Sequence, residues 1–282
     1  MKRELKKQLG LVGNPLSHTL SPFIHKSLLS LRSLSADYGL FEADLSALPA
    51  LFESTLIKLD GFNVTAPHKV NIIPLLGGLS KRAEMFGAVN TVAAENGKAV
   101  GYNTDSIGFL RSLEYAGIEL GGRVLILGAG GAARMFAFES ALADAEVTLA
   151  VRTTGLEKAK KLKDEMENRL SKRAGILTLD SVNEGYDLII NATPVGMYPD
   201  TETSPLAPET VCKSAAVFDA VYNPGETLLL KYAREGGLKC VNGLPMLVWQ
   251  AAAAEEIWNG ISFEKSEVER VTKLTKEELE KR

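Results

Sequence analysis

The 282-residue sequence predicts an α/β protein, and three features support this class. Short apolar runs of strand length alternate with longer segments of helical periodicity. This alternation is typical of parallel strands that helices cover on both faces. Hydrophobic residues make up 45% of the chain and charged residues 24%, as in globular proteins with a substantial core. Because single cores stop growing at roughly 250–300 residues, two domains are expected.

The first hundred residues contain a β-α-β-α-β series. Strands are predicted at residues 9–12, 38–43 and 61–64, and helices at 21–31 and 45–56. A helical stretch through Ala83 follows. Between Ala88 and Tyr102, two β-rich runs flank Asn96-Gly97, and an Asn-Gly pair in this setting indicates a hairpin. The first series is therefore predicted to end near Tyr102.

A second series begins at Arg123 with the strand VLIL. A glycine-rich turn, a helix to about Ala143, the strand VTLAV and a helix at residues 156–170 follow. Further strands are predicted at residues 176–179, 187–191 and 216–221. The last forty residues are predicted to be helical, ending in a Lys/Glu-rich tail.

The glycine-rich turn at residues 128–133, GAGGAA, follows an apolar strand and opens a helix. In a Rossmann unit the first glycine permits a tight turn, and the second lets the backbone approach a pyrophosphate. A small third residue allows the helix to pack on the strand. Gly128, Gly130 and Ala133 occupy these places, and the helix N-terminus attracts phosphate. The sequence therefore predicts a Rossmann-type, doubly wound parallel sheet that binds a dinucleotide.

The end of the next strand indicates which dinucleotide is bound. Proteins that bind NAD usually carry an Asp or Glu there, which accepts hydrogen bonds from the ribose. Here the strand ends in Arg152, followed by Thr153 and Thr154. A guanidinium and two hydroxyls are suited to a 2′-phosphate, so NADP(H) is favoured over NAD.

Four polar motifs lie outside this unit and are expected to face a cleft between the two domains. They are GNPLSHTLSP at residues 13–22, NVTAPHK at 63–69, GAVNT at 87–91 and GYNTD at 101–105. Reduction of a ketone requires a group that protonates the developing alkoxide, and a lysine positioned by a carboxylate can do this. Lys69 and Asp105 are the candidate pair.

Together these motifs resemble the shikimate dehydrogenase family. The resemblance continues through GAGGAA, NATPVGM at residues 191–197, DAVYNP at 219–224 and GLPMLVWQ at 243–250. It implies reversible NADPH-dependent reduction of 3-dehydroshikimate to shikimate, in aromatic amino-acid and chorismate biosynthesis. It also implies an N-terminal α/β substrate domain, residues 1–103, completed by residues 243–282. The Rossmann-type NADP-binding domain would comprise residues 104–242.

The resemblance also assigns roles to individual residues. Lys69 would be the catalytic acid/base and Asp105 its partner. Thr19 and Ser21 would hold the substrate carboxylate, and the residues around the ring hydroxyls would be Thr65, Asn90, Tyr222 and Gln250. The residues that contact NADP(H) would be Gly128, Gly130, Gly131, Ala132, Arg152, Thr153, Asn191, Thr193, Pro194, Met197 and Gly243.

Three departures from the family pattern leave alternatives open. Thr19 stands where relatives usually have Ser, which raises a quinate/shikimate dehydrogenase with broader substrate use as an alternative. The second departure is Val151, which replaces an Asn that often precedes Arg152. The third is the charged tail at residues 264–282, which is expected to be a solvated helix or a dimer contact. A non-catalytic dinucleotide sensor is a third hypothesis, but Lys69, Asp105 and Gln250 are all present and argue against it.

Composition limits partners and location. A net charge of −3 gives no field that would attract nucleic acid, and apolar runs fall short of the roughly 20 residues that cross a membrane. The N-terminus does not resemble a signal peptide, and Cys212 and Cys240 have no metal-ligand spacing, so a cytoplasmic location is expected. The three histidines show no metal spacing either. The predicted partner is a small-molecule substrate, and the protein is expected to be a monomer or homodimer without a metal.

Overall fold

A computed structural model describes residues 6–281. These residues form two compact units. One unit comprises the described residues up to Gly108 and those from Val248 onward, and the other comprises Phe109–Leu247. Each unit is built around a six-stranded sheet.

The first unit contains a mixed sheet. Its elements are β1 (Lys7–Gly13), α1 (Ser21–Ser30), β2 (Ala36–Glu42), α2 (Leu48–Ser54), β3 (Gly61–Val64), β4 (Gly78–Leu79), α3 (Lys81–Phe86), β5 (Thr91–Glu95), β6 (Lys98–Tyr102) and α10 (Lys265–Leu279). The strand order is β2-β1-β3-β5-β6-β4. β1 is parallel to β2 and β3, whereas β5 is antiparallel to β3 and β6. The predicted hairpin is confirmed, and its Asn96-Gly97 turn, in which both residues have positive φ, reverses the chain.

Two predicted helical segments in this unit differ from the structure. The helix expected at residues 45–56 begins only at Leu48, where Pro49 occupies the first turn, and ends at Ser54. The helical stretch expected through Ala83 is instead a short 3₁₀ turn, the edge strand β4 and α3. Pro74 cannot donate a backbone hydrogen bond, and α3 starts anew because the Ser80 side chain accepts from the Ala83 amide.

The second unit contains a fully parallel sheet. Its elements are β7 (Arg123–Leu127), α5 (Gly131–Leu142), β8 (Glu146–Val151), α6 (Leu156–Leu170), β9 (Ala174–Thr178), β10 (Leu188–Asn191), α7 (Pro208–Val211), β11 (Ala216–Asp219), α8 (Leu228–Glu235) and β12 (Lys239–Val241). The strand order β12-β11-β10-β7-β8-β9 is that of a doubly wound Rossmann sheet, as predicted. In such sheets ligands bind at the carboxyl ends of the strands, where the order reverses, here between β7 and β10.

Two further helices contain the unit boundaries: α4 (Thr104–Tyr115) and α9 (Leu244–Asn259). The C-terminal half of α9 packs on the first sheet. The Trp258 indole covers Gly61, whose absent side chain makes room for it, and Trp258 Nε1 donates to the Val92 carbonyl at 2.9 Å. The fully buried His25 Nδ1 and Glu255 Oε1 lie 2.6 Å apart and join α1 to α9.

The charged tail is not simply solvated. Val268, Val271 and Thr275 of α10 are fully buried, and α10 packs against α1. An ion pair between Arg32 and Glu267 lies at the margin of this contact. The expectation of a purely solvated helix is therefore wrong, because an apolar stripe at helical spacing lies among the lysines and glutamates.

Candidate active site

Lys69 and Asp105 form an ion pair in the first unit. Lys69 Nζ donates to Asp105 Oδ2 at 2.6 Å. The lysine side chain is 36% exposed and the aspartate side chain 20%, so the pair is partly screened from water yet open to a small molecule. Lys69 lies in the loop after β3, and Asp105 lies in the first turn of α4, where the helix dipole favours a carboxylate.

Two more predicted residues extend this pair. Asn90 Nδ2 lies 3.0 Å from Asp105 Oδ1 and 3.3 Å from Gln250 Oε1. The Thr104 amide in turn donates to Asn90 Oδ1 at 2.6 Å, which fixes the orientation of the Asn90 amide. Both oxygens of the Asp105 carboxylate therefore accept hydrogen bonds, and the carboxylate is held in one orientation.

The backbone around Lys69 is anchored by its neighbour. His68 is fully buried, and its Nε2 lies 2.7 Å from the carbonyl of Ala43, the residue that follows β2. The Val89 amide donates to the Lys69 carbonyl at 2.8 Å. These contacts hold the lysine backbone against the sheet, while the side chain reaches Asp105.

The residues predicted to hold the substrate carboxylate lie together. Thr19 Oγ1 donates to Ser21 Oγ at 3.1 Å, and it accepts from the Ser21 amide at 3.2 Å. Ser21 is the first residue of α1, where helix amides favour an anion. Thr65 lies in the same loop as Lys69, and its amide donates to the Val12 carbonyl at 2.9 Å. Six predicted residues of the first unit thus lie in two hydrogen-bonded groups.

Sequence reasoning missed a chain of hydrogen-bonded polar side chains behind Asn90. The Tyr38 hydroxyl donates to Asn63 Oδ1 at 2.7 Å, and Asn63 Nδ2 donates to Thr91 Oγ1 at 3.1 Å. Thr91 Oγ1 lies 2.9 Å from Thr104 Oγ1, which contacts Asn90. Asn63 lies in a strand that is otherwise apolar, and such a polar residue is a signal that a sequence search can use.

The second unit has a cavity of about 510 Å³ at the carboxyl ends of β7, β8 and β10. Five predicted cofactor residues line it: Gly128, Gly130, Arg152, Thr193 and Pro194. Thr154 and Lys158 also line the cavity, and Lys158 was not predicted. Arg152 and Lys158 thus place two cations near one hydroxyl, a donor set suited to a phosphate monoester.

The glycine-rich turn fits a dinucleotide. Gly128 has a φ of +107°, which glycine adopts readily, and a side chain there would lie 3.1 Å from Thr193 Cγ2. At Gly130 and Gly131 an added Cβ would meet nothing within 4 Å, so the space beside these two residues is open. Gly131 is the first residue of α5. Glycines that open a helix in this way form the kind of N-terminus that accepts a phosphate group.

Among residues 6–281, the remaining predicted cofactor residues lie outside the cavity lining: Gly131, Ala132, Thr153, Asn191, Met197 and Gly243. Gly131, Ala132 and Thr153 are exposed beside it, and Met197 is 46% exposed. Asn191 is fully buried, and its amide contacts Thr193 and Asp219. Gly243 is buried, and a side chain there would lie 2.2 Å from the Ala220 carbonyl. Tyr222, a predicted substrate residue, follows β11 and is half-buried.

Residues 6–281 contain no group of three His, Cys, Asp or Glu side chains arranged to hold a metal ion. None of the helices in this range has both the length and the hydropathy needed to span a bilayer.

Comparisons with known proteins identify the family. A model of the shikimate dehydrogenase substrate-binding domain matches residues 11–92, and one of the shikimate 5′-dehydrogenase C-terminal domain matches residues 243–271. The chain is 42% identical to shikimate dehydrogenase (NADP(+)) of Methanococcus maripaludis strain C6 over 261 residues, covering 90% of this chain and 92% of that protein. A similar enzyme of Caldanaerobacter subterraneus is 40% identical over 92% of this chain and 94% of its own.

A solved structure shows the same architecture. The crystal structure of shikimate 5-dehydrogenase from Thermus thermophilus, in complex with NADP(H) and shikimate, superposes with a TM-score of 0.85. It is 35% identical and covers 95% of this chain and 99% of its own. With this degree of identity over nearly the whole chain, the protein belongs to the shikimate dehydrogenase family.

Proposed function

We propose that Lys69 and Asp105 carry the acid–base step of the reversible, NADPH-dependent reduction of 3-dehydroshikimate to shikimate. The observation that carries this proposal is the 2.6 Å ion pair, in which the second oxygen of Asp105 is held by Asn90. Its curated relatives are NADP-dependent shikimate dehydrogenases, and this chain is an oxidoreductase of that kind. Their name also supports shikimate, rather than quinate, as the substrate.

The proton transfer follows from the geometry of the pair. In the direction of reduction, the Lys69 ammonium donates a proton to the ketone oxygen as that oxygen gains charge. In the reverse direction the neutral amine accepts the hydroxyl proton. Asp105 orients the ammonium and stabilises its charge in both directions. Its carboxylate stays turned towards Lys69 because Asn90 holds its other oxygen. NADPH, when bound, supplies the hydride.

Substrate recognition is proposed to use neutral donors and acceptors. Thr19 and Ser21 would bind the carboxylate, and Thr65, Asn90 and Gln250 would bind ring hydroxyls. These residues belong to the first unit, the proposed substrate-binding part. We propose that Tyr222 of the second unit also contacts the substrate. Several fixed hydrogen bonds of this kind discriminate strongly against analogues that lack a hydroxyl.

Cofactor recognition is proposed to lie in the second unit. The backbone of Gly128, Gly130, Gly131 and Ala132 would contact the pyrophosphate. Arg152, Thr153 and Lys158 would hold the 2′-phosphate. We assign the nicotinamide side to Thr193, Pro194 and Met197.

We also propose a cytoplasmic enzyme that works as a monomer or homodimer on small molecules. A net charge of −3 supports the absence of nucleic-acid partners. Sedimentation velocity of the purified protein would distinguish monomer from dimer.

The assignment is tested by Lys69→Met, which keeps most of the length of the side chain and removes its charge. We expect kcat for shikimate oxidation to fall by about 10²–10⁴, the usual contribution of general acid–base catalysis. The dissociation constant of NADP⁺, measured by fluorescence titration, should stay within about twofold, because the cofactor cavity lies in the other unit. Lys81→Met, at an exposed lysine of the same unit, is the matched control and should leave kcat unchanged. A Lys69→Met enzyme with wild-type kcat would refute the assignment.

A further inference from the structure

Asp219, the last residue of β11, is a fully buried carboxylate in the second unit. Its Oδ1 accepts from the Val221 amide at 3.0 Å and from Asn191 Nδ2 at 2.9 Å. Its Oδ2 accepts from Thr227 Oγ1 at 2.6 Å. Burial raises the pKa of Asp219 to about 6, so the group is largely ionised at neutral pH. A buried charge persists only where donors surround it, and three donors do so here.

One donor leads to the cofactor cavity. Asn191 Oδ1 accepts from the amide and the hydroxyl of Thr193, at 3.0 and 2.7 Å. Thr193 and its neighbours Ala192, Pro194, Val195 and Gly196 line the cavity, and we call residues 192–196 the cofactor loop. Asp219 sets the orientation of the Asn191 amide. An ionised carboxylate can only accept hydrogen bonds, so the Nδ2 donor of Asn191 must face it and the Oδ1 acceptor must face away. Asp219 therefore determines which side of Asn191 faces the cofactor loop.

The other two donors belong to the segment that carries Tyr222. We call residues 220–226 the tyrosine loop. The Val221 amide, immediately before Tyr222, donates to Asp219, and Thr227 ends the loop by capping α8 through the Leu230 amide at 3.3 Å. Asp219 thus holds both ends of the tyrosine loop.

The backbone joins the same two loops. The Ala220 amide donates to the Asn191 carbonyl at 3.0 Å, and the Tyr198 amide donates to the Asn223 carbonyl at 3.0 Å. The Gly243 amide donates to the Val221 carbonyl at 3.1 Å. A shift of the tyrosine loop would therefore be transmitted to residues on both sides of the cofactor loop.

We propose that Asp219 is a positioning residue that fixes the cofactor loop and the tyrosine loop relative to each other through Asn191 and Thr227. Among the described residues, the cavity lining does not include Asp219, so it acts through its partners and not by contact with the ligand. The inference rests on the proposed function only for the identity of the ligands: NADP(H) beside one loop and shikimate beside the other.

A purely structural role makes a different prediction. If the cluster only stabilises the second unit, its loss lowers the free energy of unfolding but leaves the folded protein with normal affinity. If the cluster positions the loops, the folded variant binds its ligands less tightly and its loops open more often. Binding measured on folded protein and local amide exchange separate the two roles.

The experiment compares four variants of the full chain. Asp219→Asn keeps the shape and removes the charge, and Thr227→Val removes the hydroxyl but keeps the side-chain volume. Thr227→Ser retains the hydroxyl and should therefore bind NADP⁺ and turn over shikimate like the wild type. Val217→Ala, at a buried core residue of the same strand, is the control for loss of stability alone. For each variant we would measure the dissociation constant of NADP⁺ by calorimetry, kcat and KM for shikimate, and hydrogen exchange of the ligand-free protein.

We expect Asp219→Asn and Thr227→Val to raise the dissociation constant of NADP⁺ about tenfold, equivalent to ~1.4 kcal/mol. KM for shikimate should rise as well, with a smaller change in kcat, because Lys69 and Asp105 are untouched. In the ligand-free variants, hydrogen exchange should be faster than in wild type at the Thr193, Val195 and Val221 amides. Thr227→Ser should stay within about twofold of wild type. Val217→Ala should lower the unfolding midpoint without changing NADP⁺ affinity.

Unchanged NADP⁺ affinity and unchanged loop exchange in Asp219→Asn would overturn the inference. Reduced stability with normal affinity would overturn it too. If Asp219→Asn does not fold, the inference is tested by comparing Thr227→Val with Thr227→Ser. Equal NADP⁺ affinities in these two variants would contradict the positioning role of Asp219. Failure of the proposed function can be told apart from failure of this inference. If the wild-type protein does not oxidise shikimate, the variants can still be compared with it in NADP⁺ affinity and in hydrogen exchange.

Discussion

Gly61→Ala should destabilise the first unit, although exchanging glycine for alanine in a strand usually stabilises a protein by about 0.4–1 kcal/mol. An alanine Cβ at this position would lie 2.2 Å from Trp258 Nε1 and 2.4 Å from its Cδ1. The strand cannot yield, because Gly61 pairs with Leu9 on one side and Ala93 on the other. The indole must therefore move by more than 1 Å, since ordinary contacts begin near 3.4 Å.

The size of the loss follows from what the indole gives up. Overpacking of a tight core costs about 1–3 kcal/mol. Moving the ring also breaks its hydrogen bond to the Val92 carbonyl, and a buried carbonyl without a partner costs about 1–3 kcal/mol more. We expect the free energy of unfolding to fall by roughly 2–6 kcal/mol, a large part of the total for a typical domain.

The assay is urea unfolding followed by tryptophan fluorescence. The chain has two tryptophans, Trp249 and Trp258, and both lie in the first unit, so the signal reports on that unit alone. Gly78→Ala is the control, because a Cβ on this strand residue of the same sheet would make only an ordinary contact with Val100, at 3.9 Å. It should leave stability within about 0.5 kcal/mol of wild type or raise it slightly. A Gly61→Ala midpoint equal to that of Gly78→Ala would refute the packing of Trp258 on β3.

Three further predictions concern charged groups. Glu255→Ala should lower the free energy of unfolding by about 1–3 kcal/mol in the same fluorescence assay, because it leaves His25 Nδ1 buried without its hydrogen-bond partner; a loss below about 0.5 kcal/mol would contradict this. Arg152→Ala and Lys158→Ala should each raise KM for NADP⁺ by about tenfold or more and leave KM for NAD⁺ unchanged, since only NADP⁺ carries the 2′-phosphate; equal effects on both cofactors would argue against the phosphate site. Asp219 has a pKa of about 6 when folded, against 3.8 for an ordinary aspartate, so the native state binds more protons in this interval. The stability of wild type relative to Asp219→Asn should therefore fall as pH rises from about 4 to about 6, by on the order of 3 kcal/mol, and then level off; a difference that does not change with pH would contradict it.

Periodicity predicted the second unit well. The predicted bounds of five of its six strands agree with the structure to within about two residues. The first of these strands, β7, was also indicated by the glycine-rich turn that follows it. β12 was not predicted, because Lys239–Val241 is too short to show alternation. In the first unit, the helical pattern was wrongly continued through β4, since a two-residue edge strand is defined by its neighbour β6 and not by its own sequence.

The candidate site was predictable where the chemistry needs particular residue types. Lys69 and Asp105 stand out because a ketone reductase needs an acid and a group to orient it, and the structure pairs them. Lys158 did not stand out, because a lysine on an exposed helix is usually a solvated charge. Asn191 and Gly243, which are predicted to contact the cofactor, are both buried, Asn191 beside Asp219 and Gly243 beside Ala220. Such long-range contacts leave no local pattern in the sequence.

The discontinuity of the first unit has a consequence for synthesis of the chain on the ribosome. Every segment of the second unit has been made once translation reaches Leu247, whereas the first unit still lacks the part that begins at Val248. That last part supplies Gln250 beside Asn90 and the indole that covers Gly61. The nucleotide-binding half can therefore be completed during elongation, but the half that carries Lys69 becomes whole only after the segment that begins at Val248 has also been made. A nascent chain thus acquires its cofactor cavity before its acid–base pair is fully supported.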